Sequence, residues 1–183
     1  MTAIGTAQAS GGREEPTVPD LDAFRLRRFI ERLANTPELE IRSDPVELAD
    51  VAAILDGNPR AVWFRKAGPD AQELVGSVTA SRARLAHAFG VEIDRLATEI
   101  QRRMRLPPKL IEVTSQAAPV QQVVLTGKAA DLTRLPVHLQ HGSDGGPYIS
   151  SSLDITVDPR TGLSNVGIRR LMLRSATQAG VDL

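Results

Sequence analysis

The sequence predicts an α/β (α+β) protein, with an N-terminal α/β unit over residues 20–115 and a β-rich unit over residues 116–183, behind a leader of residues 1–19. Three observations carry this reading. Between Asp20 and Met104, helical periodicity gives way twice to short runs rich in Val, Trp and Phe. From Pro107 to Pro119 proline mixes with small and polar residues, as at a boundary. Beyond Pro119, the pattern is that of extended strands and turns.

The elements follow in order. Asp20 can cap a first helix whose apolar residues Leu21, Phe24, Ile30 and Leu33 share one face, while Arg25, Arg27, Arg28, Glu31 and Arg32 mostly take the other. Pro45 suits the first position of a second helix, Val46 to Leu55, with Gly57 where a C-terminal cap belongs. Ala61-Val62-Trp63-Phe64 and Leu74-Val75-Gly76-Ser77-Val78 read as short strands. A helix from Ser81 to Phe89 stops at Gly90, and another runs from Val91 to Met104, ending before Pro107-Pro108. In the second unit, Val120 to Leu125 reads as a strand, Ala130 to Thr133 as a short turn, and Leu135-Pro136-Val137 as the entry to a loop.

Composition narrows the function classes. Forty-two per cent apolar and 24% charged residues describe an ordinary globular chain. A formal charge of +0 and a pI near 6.8 give no overall pull towards nucleic acid or an anionic membrane. Zero cysteines exclude disulfides, thiolate metal sites and a cysteine nucleophile, and fit a reducing compartment, so the expected location is the cytoplasm. The leader, with Glu14 and Glu15 and no apolar core, does not resemble a secretory signal and is expected to be disordered. No apolar run approaches the ~20 residues of a membrane-spanning helix.

The closing segment holds the most informative pattern. From Ile149 to Val157, Ile149, Leu153, Ile155 and Val157 alternate with Ser150, Ser152, Asp154 and Thr156, so one face is expected to be core. Asp158-Pro159-Arg160-Thr161-Gly162 fits a turn ending in a left-handed glycine, and a hairpin follows. The return strand breaks parity: Val166 and Ile168 are apolar at even positions, Leu171 and Leu173 at odd ones. A bulge or bend between 168 and 171 would produce this, as would a strand buried on both faces. Arg169 and Arg170 lie at the break, and an inward arginine needs an anion. A guanidinium grips carboxylate or phosphate with two parallel hydrogen bonds, and Gly167 would let backbone N–H groups approach such a ligand.

Taken together, Pro119 to Gly127, Asp131-Leu132-Thr133-Arg134-Leu135-Pro136, Asp144-Gly145-Gly146-Pro147-Tyr148-Ile149, and Asp158 to Gly162 leading into Asn165-Val166-Gly167-Ile168-Arg169-Arg170 resemble successive motifs of the UbiD decarboxylases, in their usual order. The resemblance is tight after Pro119 and looser back to about Asp22. It implies that residues 116–183 begin a split β-barrel flavin-binding domain. It also implies a reversible, non-oxidative decarboxylase of aromatic or α,β-unsaturated carboxylic acids, using prenylated FMN, which takes up the electrons left as CO2 departs. Carried over by motif, Asn165 is a ligand of a divalent metal, typically Mn2+, with K+ as a further ion. Asn165, Val166, Gly167, Ile168, Arg169 and Arg170 contact the cofactor, and Arg170 is the catalytic arginine that meets the substrate carboxylate. Leu163 and Arg169 depart from the aromatic residue and the tyrosine common in the family.

In the family, a His and a Glu complete the metal site and an acidic residue protonates the product carbon, all beyond the position matching Leu183. The expected partners are therefore a small carboxylic acid and either further copies or a second chain completing the site, with turnover absent from this chain alone. The alternative is a non-catalytic flavin- or phosphate-binding and assembly module; an unrelated α/β interaction protein is the third reading. His138, His141 and Asp144 could be metal ligands, but Pro136 and the Gly-rich run 142–146 set them in a loop and favour ordinary loop histidines. His87 is expected to be a partly buried packing residue, and Trp63 and Tyr148 core residues. The cluster Arg102, Arg103, Arg105 and Lys109 reads as a solvated helix end before a phosphate patch. Ser150 to Ser152 lack an accompanying base pattern, which excludes a serine hydrolase.

Overall fold

The computed structural model describes residues 20–107 and 113–181. The expected leader, Lys109 and part of the expected boundary lie outside them.

The first unit is built on a three-stranded sheet, β1 (Leu39–Arg42), β2 (Ala61–Ala67) and β3 (Gln72–Gly76), in that order. β1 and β2 run parallel, joined through helix α2 (Val51–Leu55), and β2 and β3 are antiparallel. Central strand β2 is covered on both faces, and its alternation sorts two cores. Ala61 and Trp63 pack with Ile30 and Leu33 of helix α1 (Leu26–Leu33) and with Leu39. Val62 and Phe64 pack with Val51, Ala67 and the half-buried Ile54, Leu55 and Leu74. A strand apolar at both parities needs cover on both faces, and the two helices supply it. Trp63 is core as expected.

The helices begin and end differently from the expectation. Asp20 caps only a 3-10 turn, Leu21–Phe24, and the chain extends at Arg25 before α1 starts. Phe24 is consequently 76% exposed and not part of the core face, whereas Ile30 and Leu33 are buried. Pro45 does not open a helix: Val46 instead bridges to Ala67, a 3-10 turn spans Leu48–Asp50, and α2 starts at Val51. Strand β1, confined between Pro37 and Pro45, was not expected.

Helix α3 (Arg82–Phe89) is as expected, with the Ser81 hydroxyl accepting from the Arg84 N–H and Gly90 ending it at φ 70°. His87 on it is exposed, correcting the packing role. A 3-10 turn, Ile93–Arg95, leads into α4 (Leu96–Met104). At its end Arg102 and Arg103 both bind Glu99, at 2.7 Å, and Arg103 also donates to the Phe89 carbonyl and lies over the Phe89 ring. These two arginines are thus engaged within the helix pair. Their guanidinium groups hold the Glu99 carboxyl at about 2.

The second unit is an open three-stranded antiparallel sheet, β4 (Tyr148–Val157), β5 (Ser164–Ser175) and β6 (Gln178–Val181), with β5 in the middle. Among the described residues it does not close into a barrel. The strand expected at Val120–Leu125 is absent: Pro119–Gln121 form a 3-10 turn, and Val120, Val123, Val124 and Leu125 are all exposed. Its backbone finds no partner strand among the described residues, and an unpaired β segment is marginal in water. The expected turn near 130–133 is a 3-10 turn, Leu132–Arg134, capped by Asp131.

Candidate functional site

The β4–β5 hairpin is closed by Asp158 to Gly162. The Asp158 N–H donates to the Leu163 carbonyl, the Gly162 N–H donates to the Asp158 carbonyl at 2.8 Å, and Gly162 takes φ 73°, a conformation that favours glycine. The Asp158 carboxylate accepts from the Arg160 N–H and the Thr161 hydroxyl, both at 2.8 Å. Those donors, the Arg160 N–H first, hold its carboxyl below the usual carboxylate range.

Counting outwards from the turn sets the register: Val157 opposite Ser164, Thr156 opposite Asn165, Ile155 opposite Val166, Asp154 opposite Gly167, Leu153 opposite Ile168 and Ser152 opposite Arg169. Directly opposed residues point to the same face. One face is therefore polar, with Ser152, Asp154, Thr156, Asn165 and Arg169, and the other carries Leu153, Ile155, Val157, Val166 and Ile168. On the polar face Arg169 faces Asp154 at 3.9 Å, and the Ser152 hydroxyl donates to the same carboxylate. A Cβ at Gly167 would stand 3.5 Å from the Arg169 Nε, so this glycine leaves the guanidinium room to fold back along the strand.

The parity break resolves as a register shift. Ile149 opposes Leu171 and Ser152 opposes Arg169, so β4 spends one residue more than β5 across this step. The bulge lies on β4, at Ser150-Ser151, and not on the return strand. Across this step β5 alternates regularly: Gly167, Arg169 and Leu171 are half-buried, while Ile168 and Arg170 are exposed. The extra residue moves Ile149 to the polar face and removes it from the set formed by Leu153, Ile155 and Val157. That set is not core: Leu153, Ile155, Val157, Leu163, Val166 and Ile168 are 60–78% exposed.

Arg170 lies across from the bulge. It shares the parity of Ile168, and its guanidinium has no hydrogen-bond or ion-pair partner among the described residues. The two adjacent arginines thus divide: Arg169 meets a carboxylate of the hairpin, and Arg170 is free to meet one from outside. Asn165 is exposed, on the face opposite to Arg170. The register places the Thr156 hydroxyl across from the Asn165 amide, a pairing the turn length alone would have revealed.

Beneath β4, Gly145 and Gly146 pass close to Met172, a Cβ at either standing 3.7 Å from its side chain, and the Leu173 N–H donates to the Pro147 carbonyl at 2.9 Å. The Asp144 carboxylate is taken by the His141 N–H at 2.9 Å. His138 is half-buried, and burial lowers its pKa, which keeps the imidazole neutral near pH 7. Tyr148 is likewise half-buried. Among the described residues no group of three or more His, Cys, Asp or Glu side chains could hold a metal ion. No helix of the described residues is long and apolar enough to cross a membrane.

Residues 111–183 match the UbiD family in the domain described as the 3-octaprenyl-4-hydroxybenzoate carboxy-lyase Rift-related domain. An uncharacterized protein from the cooM 5′ region of Rhodospirillum rubrum is 32% identical over 160 residues, which is 81% of this chain and 33% of that protein. The chain thus spans about a third of the length of this relative. Its fold superposes on an evolved dimeric form of the UbiD-class enzyme HmfF from Pelotomaculum thermopropionicum in complex with prFMN. The TM-score is 0.78 at 24% identity, over 86% of this chain and 38% of that one. A vanillic acid decarboxylase from Sedimentibacter hydroxybenzoicus, in closed form, gives a TM-score of 0.74 at 26% identity, over 85% and 36% of the two chains. Motif order, the matched domain and the shared fold agree: residues 111–183 match the UbiD Rift-related domain, and 86% of the chain shares the fold of a UbiD-class enzyme.

Proposed function

We propose that this chain carries the cofactor-anchoring part of a UbiD-type decarboxylase that acts, reversibly and without oxidation, on an aromatic or α,β-unsaturated carboxylic acid. The observation that supports this best is Arg170: an exposed arginine without a partner among the described residues, in the middle strand, at the register shift of the matched domain. A planar fork in that position suits a carboxylate, which it binds and orients by two charge-assisted hydrogen bonds. Desolvation of such a pair would strengthen it, and Arg170 would hold the acid by its carboxylate in one orientation.

The residues fit the phosphate end of a flavin better than they fit a complete metal centre. Asn165, the Thr156 hydroxyl and the Arg169 guanidinium lie on one polar face, and a flavin phosphate would find donors there. Asn165 offers one oxygen to a divalent cation; the further ligands a hard cation requires would come from residues outside this chain. Prenylated FMN, when bound, would supply the electron sink for decarboxylation. The proton that replaces CO2 would come from an acidic residue that the family resemblance places beyond the position matching Leu183, in further sequence or in a partner. The dimeric HmfF form and the two-component name of the Sedimentibacter enzyme support an assembled state.

Native mass measurement of the protein taken from its own cells tests this reading. The expected result is a species heavier than the 19.7 kDa chain, carrying a flavin, that releases CO2 from an unsaturated acid. A flavin-free species, or a monomer of 19.7 kDa that decarboxylates unaided, would refute it.

A further inference from the structure

We infer that Arg134, at the end of the Asp131–Pro136 segment, is a positioning residue: it clasps the strand that carries Arg170 to the N-terminal sheet. The 3-10 turn Leu132–Arg134 lies between two hairpin ends. On one side, the Leu132 N–H donates to the Ala176 carbonyl at 2.8 Å, in the turn that joins β5 to β6. On the other side, the Gln72 amide donates to the Arg134 carbonyl at 3.0 Å, and the Arg134 guanidinium faces Asp70 at 3.4 Å, both across more than sixty residues of chain.

Each contact is held from behind. The Asp131 carboxylate accepts from the Thr133 N–H at 2.9 Å and from the Thr133 hydroxyl at 2.6 Å, which fixes the turn that aims Leu132 one way and Arg134 the other. Asp70 sits in the tight link between β2 and β3, where Gly68 and Ala71 take φ 67° and 47°. A non-glycine residue with positive φ persists only where its surroundings over-determine it, and the Gln72 and Asp70 contacts lie next to Ala71 in sequence. The result is a short mechanical path, from the β2–β3 link through Arg134 and Leu132 to the β5–β6 turn. It rests on the proposed function only in that β5 is the strand bearing the site; the path itself needs no cofactor.

Hydrogen exchange on the purified chain, read at single amides without cofactor, tests the clasp. The Arg134→Asp variant should exchange about threefold faster at the Leu132 amide and along β6, as expected for loss of an exposed pair, and faster still with Gln72→Ala added. The charge-swapped double variant, Asp70→Arg with Arg134→Asp, should return to the wild-type rate. Amides of β2 at Val62 and Phe64 should not change in any variant. Unaltered exchange at Leu132 in Arg134→Asp would overturn the inference, as would failure of the charge swap to rescue it or equal acceleration at β2. Should Arg134→Asp fail to fold, Gln72→Ala alone carries the same expectation at Leu132. Because no flavin or acid is present, failure here leaves the decarboxylase reading standing, and failure of that reading leaves the clasp standing.

Discussion

Glu38→Gln should destabilise this protein more than any surface substitution, because it strands a buried charge. Arg84 is 1% exposed, and one Nη donates to the Glu38 carboxylate at 2.9 Å and to the Pro59 carbonyl at 2.8 Å, while its Nε has no hydrogen-bond partner among the described residues. The Ser81 hydroxyl also donates to Glu38, so α3, β1 and the start of β2 meet at this carboxylate. Breaking a fully buried pair from one side costs about 3–5 kcal/mol. Glu38 keeps 24% of its side-chain surface in water, which weakens the pair, so the lower end, about 3 kcal/mol, is the expected cost. Arg84→Met removes the stranded charge while filling much of the volume, and should cost only about 1 kcal/mol. Adding Glu38→Gln to Arg84→Met should then cost only about 1 kcal/mol more, a coupling of about 2 kcal/mol. The assay is urea unfolding followed by circular dichroism, with midpoints compared at unchanged slope. A Glu38→Gln variant within about 1 kcal/mol of wild type, or a double variant equal to the two singles together, would refute the reasoning.

The other expectations concern the hairpin. Under the proposed function, Arg170→Ala in the assembled protein should lower kcat/KM at least ~100-fold, since the carboxylate would lose its fork. Its melting midpoint should not move, because Arg170 has no side-chain partner to lose among the described residues; unchanged turnover counts against the role. Asn165→Ala should reduce bound metal and flavin at least ~tenfold, measured by elemental analysis and flavin absorbance, and full metal occupancy would contradict the assignment. The Asp158 carboxyl is held below the usual carboxylate range, so its contribution to the turn is complete above about pH 4 and is lost as pH falls through the lowered value. An NMR titration should find its midpoint below about 3.9, and Asp158→Ala should remove the acid sensitivity of the Arg160 amide. Ile155→Lys with Val166→Lys should raise the monomer fraction of the isolated chain, measured by light scattering, because those side chains are 72% and 63% exposed.

Much of the fold was legible wherever a local signal and a packing signal coincided. Ser81 and Gly90 bracket α3 by capping chemistry that needs no distant partner, and Trp63 sits in a run too apolar for an edge. The misreadings arise where tertiary structure overrides the local pattern. Pro45 has the geometry of a helix start, but Val46 is drawn into a bridge with Ala67, and the chain cannot turn helical until that bridge is passed. Phe24 shares the helical phase of Ile30 only if the helix is continuous, and the extended Arg25 resets the phase. Val120 to Leu125 has the composition of a strand but no neighbour to pair with among the described residues. Arg84 gave no local sign of burial, because the groups that compensate it, Glu38 and Pro59, lie 46 and 25 residues away in sequence.

At the proposed site, the motif picks out the residues and the register sorts them by face. Adjacent strand residues point to opposite faces, so Arg169 and Arg170 cannot serve the same anion from a regular strand. The parity break at 168–171 was visible in sequence, yet its location on β4 was not, because alternation in one strand cannot tell which of two partners carries the extra residue. That location decides which face Arg170 shares. A bulge on β5 would have turned Arg170 towards the polar face with Asn165; a bulge on β4 leaves β5 straight and puts Arg170 beside Ile168, on the apolar face. A phosphate and a carboxylate bound by this segment would therefore approach from opposite sides of one strand. An extended ligand can satisfy both only by passing around its edge or its end.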